Sequence, residues 1–98
     1  MTSKSSDAGS KEKTFRCFLF VAGDEYHSRV AKKNLDRFYT THQSRLCEVQ
    51  VVDVFQRPEK ALEHGIFLTP TLLKISSDDR KVLIGSLDNK TELHRFLA

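Results

Sequence analysis

An almost unbroken apolar run, Phe15-Arg16-Cys17-Phe18-Leu19-Phe20-Val21-Ala22, constrains this chain more than any other feature. Beyond Arg16 it has no polar face, which is the signature of a central strand covered on both sides. Layers must therefore pack on each face of the sheet that holds it. Gly23-Asp24 ends the run, and the period changes. Ala31, Leu35 and Phe38 recur at i, i+4 and i+7, with Val30 widening the stripe, so a helix is expected from about Ser28 to Thr40. Leu46 to Val54 reads as the second strand. Glu48 and Gln50 alternate against Cys47, Val49 and Val51, so one face of its start is open, as at a sheet edge. A helix between two strands favours parallel pairing with a right-handed crossover.

The rest of the chain continues this alternation. Pro58 suits the first turn of a short second helix, where its missing N–H costs nothing. Ala61 and Leu62 supply that helix's inner face, and Gly65 supplies a left-handed C-terminal turn. Leu72 to Ile75 is a third strand, Ser76 to Arg80 a polar hairpin loop, and Lys81 to Ile84 a fourth strand. Asp88 or Asn89 can cap a last helix whose apolar face is Leu93, Phe96 and Leu97. The order βαβαββα, with Pro70 just before the third strand, is the thioredoxin-like α/β arrangement: a mixed four-stranded sheet flanked by three helices. By analogy with that fold Pro70 is expected to be cis. Residues 1–13 carry two apolar side chains, Met1 and Ala8, and read as a flexible tail before a single domain over 14–98.

Charge and motif content exclude several function classes. Net charge is +3, but 13 carboxylates are interspersed among 16 basic residues, unlike the concentrated positive face of a nucleic-acid binder. No stretch approaches the roughly 20 apolar residues that span a bilayer. The polar start MTSKSSDAGSKEK lacks the apolar segment of a signal peptide, so a cytoplasmic protein is expected. Cys17 and Cys47 form no C-x-x-C pair and have no metal-ligand spacing, and they read as reduced core thiols. Where a thioredoxin-like oxidoreductase places its nucleophilic thiol, this chain has Gly23-Asp24-Glu25-Tyr26-His27-Ser28. No thiol is present, and two carboxylates oppose a thiolate there, which excludes disulfide exchange.

Other candidates have plainer readings. Ser28 with His27 as base reads better as a helix cap. His27, His42, His64 and His94 lack paired ligand spacing and read as surface residues. Tyr26 suits either loop packing or a contact point. Arg29, Lys33 and Arg37 form a basic stripe, either a solvated face or a docking strip for an acidic partner. No cofactor or metal is expected.

An ordered set of segments resembles the KaiB family. These are Phe20-Val21-Ala22-Gly23, Val51-Val52-Asp53-Val54, Pro58, Leu68-Thr69-Pro70-Thr71-Leu72 with Lys74, and Leu83-Ile84-Gly85, within a match from about Thr14 to Asn89. The resemblance implies a non-enzymatic bacterial protein that binds the ring-shaped ATPase KaiC in a clock-derived or stress-adaptation pathway. It places partner contacts at Glu48, Gln50, Arg57, Lys60 and Gly65, and structural roles at Gly23 and Pro70. Gly65 stands where the clock proteins carry a functional lysine. Clock members of the family switch between a tetrameric fold and a thioredoxin-like one. Here Ser76-Ser77-Asp78-Asp79-Arg80 replaces their run of prolines, and Leu93-His94-Arg95-Phe96-Leu97 has a helical pattern. Both departures imply a chain held in the thioredoxin-like fold.

Two other readings remain at this point. One is a redox-inactive sensory or adaptor domain of a histidine kinase system that binds the same kind of partner. The other is a glutathione-binding thioredoxin-fold protein using Tyr26 or Ser28. Monomer and homodimer both stay open.

Overall fold

The computed structural model describes residues 15–41 and 48–97. Seven elements follow in order: β1 (Arg16–Val21), α1 (Tyr26–Thr41), β2 (Val49–Asp53), α2 (Pro58–Glu63), β3 (Thr71–Ile75), β4 (Arg80–Ile84) and α3 (Lys90–Leu97). They form one mixed sheet in the order β2-β1-β3-β4. β1 and β2 run parallel with Phe18 beside Gln50, whereas β3 is antiparallel to both β1 and β4. This is the expected thioredoxin-like arrangement. No helix among the described residues is long and apolar enough to cross a membrane.

The apolar run at β1 is central, and its alternate residues feed two cores. Cys17, Leu19 and Val21 pack with Ala31, Leu35 and Phe38 of α1, Leu72 of β3, and Leu93 and Leu97 of α3. Phe18 and Phe20 face the other way, onto Ala61 of α2, Val52, Ile66 and Leu73. Burying a side chain of this size contributes about 1.5–3 kcal/mol, so both layers anchor the sheet. α2 is short and leaves part of its side of the sheet in solvent: Val82 and Ile84 of β4 stay exposed there.

Several local expectations hold. Pro58 opens α2, Gly65 adopts φ +67° after it, and the Thr69–Pro70 bond is cis. Asn89 caps α3, its Oδ1 accepting the Glu92 amide at 2.9 Å. The start of α1 differs. The helix begins at Tyr26, and Glu25 caps it, with Oε2 accepting from the His27 amide and Oε1 from the Ser28 amide, each at 3.0 Å. Ser28 lies inside the first turn, fully buried, and its Oγ accepts the Ala22 amide. Period alone missed this because Glu25 reaches both N–H groups from a longer side chain than the usual cap. Cys17 also departs from expectation: it is disulfide-bonded. Reading it as a thiol rested on compartment rather than geometry. The expectations for residues 1–13, His42, Leu46 and Cys47 lie outside the described residues.

Candidate functional site

The loop after β1 is where this fold carries redox chemistry, and here it is built as a structural joint. Gly23 adopts φ +53°, and its amide donates to Asp53 Oδ1 at 3.0 Å. The same oxygen accepts the Phe55 amide at 3.0 Å, tying the β1–α1 loop to the β2–α2 loop. A Cβ on Gly23 would stand 3.1 Å from the Phe55 ring, so glycine satisfies both the backbone angle and the close approach. Glu25 is held below its usual range chiefly by the His27 backbone N–H, against a smaller opposing effect of desolvation. Its carboxylate is committed to the helix cap. His27 Nδ1 faces Ser86 Oγ at 3.4 Å, not the buried Ser28 hydroxyl. The Ser28–His27 pair therefore has no nucleophile–base geometry.

The second assembly lies on the α2 side, where β1 and β2 begin. Gln50 is directly beside Phe18 in the parallel register, and Lys60 of α2 places Nζ 5.4 Å from the centre of the Phe18 ring. Arg16 covers the same ring at 5.7 Å. Two cations thus share one buried aromatic ring, a cation–π arrangement that holds their heads at the rim of an open groove. The groove has a volume of about 500 Å³, with Phe15 and Glu48 on its walls. Neither Arg16 nor Lys60 makes an ion pair among the described residues. Glu48 sits at the outer rim, and its charge also reaches α1. There the Tyr39 phenol is pushed up first by burial and then by that carboxylate. The arrangement offers a wet, mixed-charge surface beside a strand edge, suited to a protein partner.

Of the five residues assigned to partner contact, the structure brings Glu48, Gln50 and Lys60 together in this groove. Arg57 stands at the N-terminal end of α2 and pairs with Glu59 at 3.3 Å. Gly65 lies past the other end and lines a separate groove beside β4. Arg16 and Phe18 were missed as site residues because both read as parts of a core strand. The i, i+2 spacing along one strand face was the available signal. His64 corrects another reading. Its ring packs 5.3 Å from Phe18 and 6.1 Å from Phe20, and Nε2 is buried without a hydrogen-bond partner among the described residues.

Comparison with known proteins adds three findings. Residues 18–98 match the KaiB domain family. The circadian clock oscillator protein KaiB of Picosynechococcus is 33% identical over 82 residues, covering 84% of this chain and 79% of that protein. Among solved structures, the N-terminal domain of Synechococcus elongatus SasA superposes with a TM-score of 0.66 at 21% identity, covering 92% of this chain and 85% of that one. Mitochondrial thioredoxin 3 of Saccharomyces cerevisiae gives 0.69 at 18% identity, covering 89% and 79%. These two likenesses establish the fold.

Proposed function

This chain belongs to the KaiB family, and we propose that it is a non-enzymatic binding protein that docks onto a KaiC-type ATPase in the bacterial cytoplasm. The pathway is clock-derived or concerned with stress adaptation. The observation that carries this reading is the groove in which Glu48, Gln50 and Lys60 converge over Phe18. It combines an open strand edge with fixed cations, and the relatives are named as circadian clock oscillator proteins. Two features support a role without catalysis. Glu25 is committed to the helix cap, Asp53 from the end of β2 ties down the Gly23 amide, and the Ser28 hydroxyl is enclosed.

The test is direct binding between the full chain and the KaiC-type ATPase of the same organism, measured with ATP and with ADP. Co-elution or a saturating interferometry signal with either nucleotide supports the reading. No binding at micromolar concentrations with both overturns it. A glutathione thiol-transfer assay is expected to show no turnover, and activity there would replace the binding role with an enzymatic one.

A further inference from the structure

The sheet has two edges, and the groove above belongs to the β2 side. β4, the opposite edge, is exposed at Arg80, Lys81, Val82 and Ile84. The Gly85 amide donates inward to the Pro70 carbonyl. Antiparallel strands alternate inward and outward pairs, so Lys81 and Leu83 bond to β3 while Arg80, Val82 and Ile84 face away from the sheet. The Arg80 amide is taken by Asp79 Oδ1 at 2.9 Å, and the Val82 and Ile84 amides are the open ones. The register sets Val82 against Leu73, whose side chain lies in the α2-side core. The residues with open backbone groups therefore also present their side chains on the α2 face.

That face is apolar beyond what a free edge needs. The segment from Gly65 to Leu68 runs alongside β4, held by Arg80 donating to the His64 carbonyl at 2.6 Å and by Thr71 Oγ1 donating to the Leu68 carbonyl at 2.6 Å. Phe67 (82% exposed), Leu68 (59%) and Ile84 (58%) stand with Val82 around a shallow groove of about 190 Å³. A contiguous apolar patch beside unpaired strand backbone is a template for strand addition.

Charge selects the occupant. On the other face Lys81 lies directly across from Lys74, a like-charge pair that is unfavourable in an antiparallel ladder. A second copy pairing through β4 would bring another Arg80 and Lys81 to the same seam. A carboxylate next to Lys81 on the free side offsets the repulsion instead. We propose that the outer edge of β4 is a second docking surface, which receives as a fifth strand an extended partner segment alternating apolar with acidic residues. The apolar side chains enter the groove at Val82, Ile84 and Phe67, and the acids face Lys81.

The test uses the full chain and two end-capped heptapeptides, one alternating Val with Glu and one alternating Val with Lys. Backbone NMR shifts and amide exchange report binding, so the result does not depend on any ATPase. With the Glu peptide at millimolar concentration, the Val82 and Ile84 amides are expected to shift and become protected, and the Lys peptide to bind roughly tenfold more weakly. Val82→Pro removes an outward N–H without breaking a bond to β3 and should abolish the effect. Lys81→Glu should invert the peptide preference, which keeps the test sound if the proline variant fails to fold. Equal binding of both peptides, changes confined to Val49–Asp53, or no change at these two amides overturns the proposal. So does sedimentation showing that the free chain dimerises and that Val82→Pro restores the monomer.

Discussion

The Asp53 carboxylate accepts the Gly23 amide at 3.0 Å across the parallel β1–β2 pair, and the same oxygen holds the Phe55 amide. Two loops that meet at the carboxyl ends of these strands thus depend on one side-chain oxygen. Removing it leaves the part-buried Gly23 amide without this acceptor and hands the exposed Phe55 amide to water. Asp53→Ala is expected to cost about 1–3 kcal/mol, seen as a lower urea midpoint with unchanged slope. Asp53→Asn keeps an oxygen acceptor and should recover most of the loss. Equal destabilisation by both would assign the effect to charge rather than to hydrogen bonding.

The Phe18 groove makes a different prediction, about binding rather than stability. Arg16 and Lys60 are both fixed over one ring, whereas Arg57 is occupied by Glu59. Reversing charge with Arg16→Glu or Lys60→Glu should weaken association with the KaiC-type ATPase by about three- to tenfold and flatten its salt dependence. Arg57→Glu should change it less. If Arg57→Glu has the largest effect, the contact surface lies at the start of α2 instead.

Much of the fold was legible because its signals are local. The two-faced β1, the stripe at Ala31, Leu35 and Phe38, Pro58 at the start of α2 and Gly65 at its end each carry their own physical reason. What stayed hidden depends on side chains meeting across elements. Arg16 and Lys60 are 44 positions apart in the chain and converge only when α2 packs over β1. Arg57, Lys60 and Gly65 were all assigned to partner contact, but Arg57 precedes α2, Lys60 projects from within it to the Phe18 groove, and Gly65 follows it beside a separate groove. The burial of His64 against Phe18 and Phe20 left no sequence mark, because histidine at a helix end is equally at home in solvent.

The Glu25 cap gives the chain a pH signature. Its carboxyl is held below the usual glutamate range because the charged form accepts two helix N–H groups. A group lowered on folding adds stability above its unfolded value, and that stability is lost as pH falls through the folded value. The loss should therefore begin near the ordinary value of about 4.3 and continue below it. Glu25→Gln should remove this part of the acid slope while leaving an oxygen to cap α1. Urea midpoints measured across the acid range for the two proteins decide it. Parallel curves would show that the cap contributes nothing through its charge.

Lys74 changes stability in the same direction with pH, but from the opposite cause: its charged form is the disfavoured one. Its Nζ donates to the Phe96 carbonyl and lies 4.5 Å from the Phe15 ring. Burial is the main cause lowering its pKa, with repulsion from Lys81 second and Asp79 opposing. The folded chain thus binds this proton less tightly than the unfolded one. Stability from this group rises as pH climbs from the lowered value toward the ordinary lysine value of about 10.4. Lys81→Gln should shift Lys74 part of the way back up, because burial remains. Direct NMR titration of the Lys74 side chain reads this shift, and an unchanged value would remove Lys81 as a cause.

The last helix decides whether the thioredoxin-like state is the resting one. Asn89 caps α3, Leu93 and Leu97 are buried in the same core as Leu35 and Phe38, and Lys74 donates to a carbonyl in its last turn. A cation there also complements the negative end of the helix dipole. Rebuilding Lys90–Leu97 as a strand would forfeit all of these contacts together. The full chain is accordingly expected to give one set of backbone resonances, with helical carbon shifts over these residues. Leu93→Ala should lower stability by about 2–5 kcal/mol, as a buried leucine does when a cavity replaces it. It should unfold the chain in one step rather than reveal a second fold. A second, slowly exchanging set of peaks with strand-like shifts at Leu93 and Phe96, in the original chain or the variant, would show that the helix is only one of two stored states.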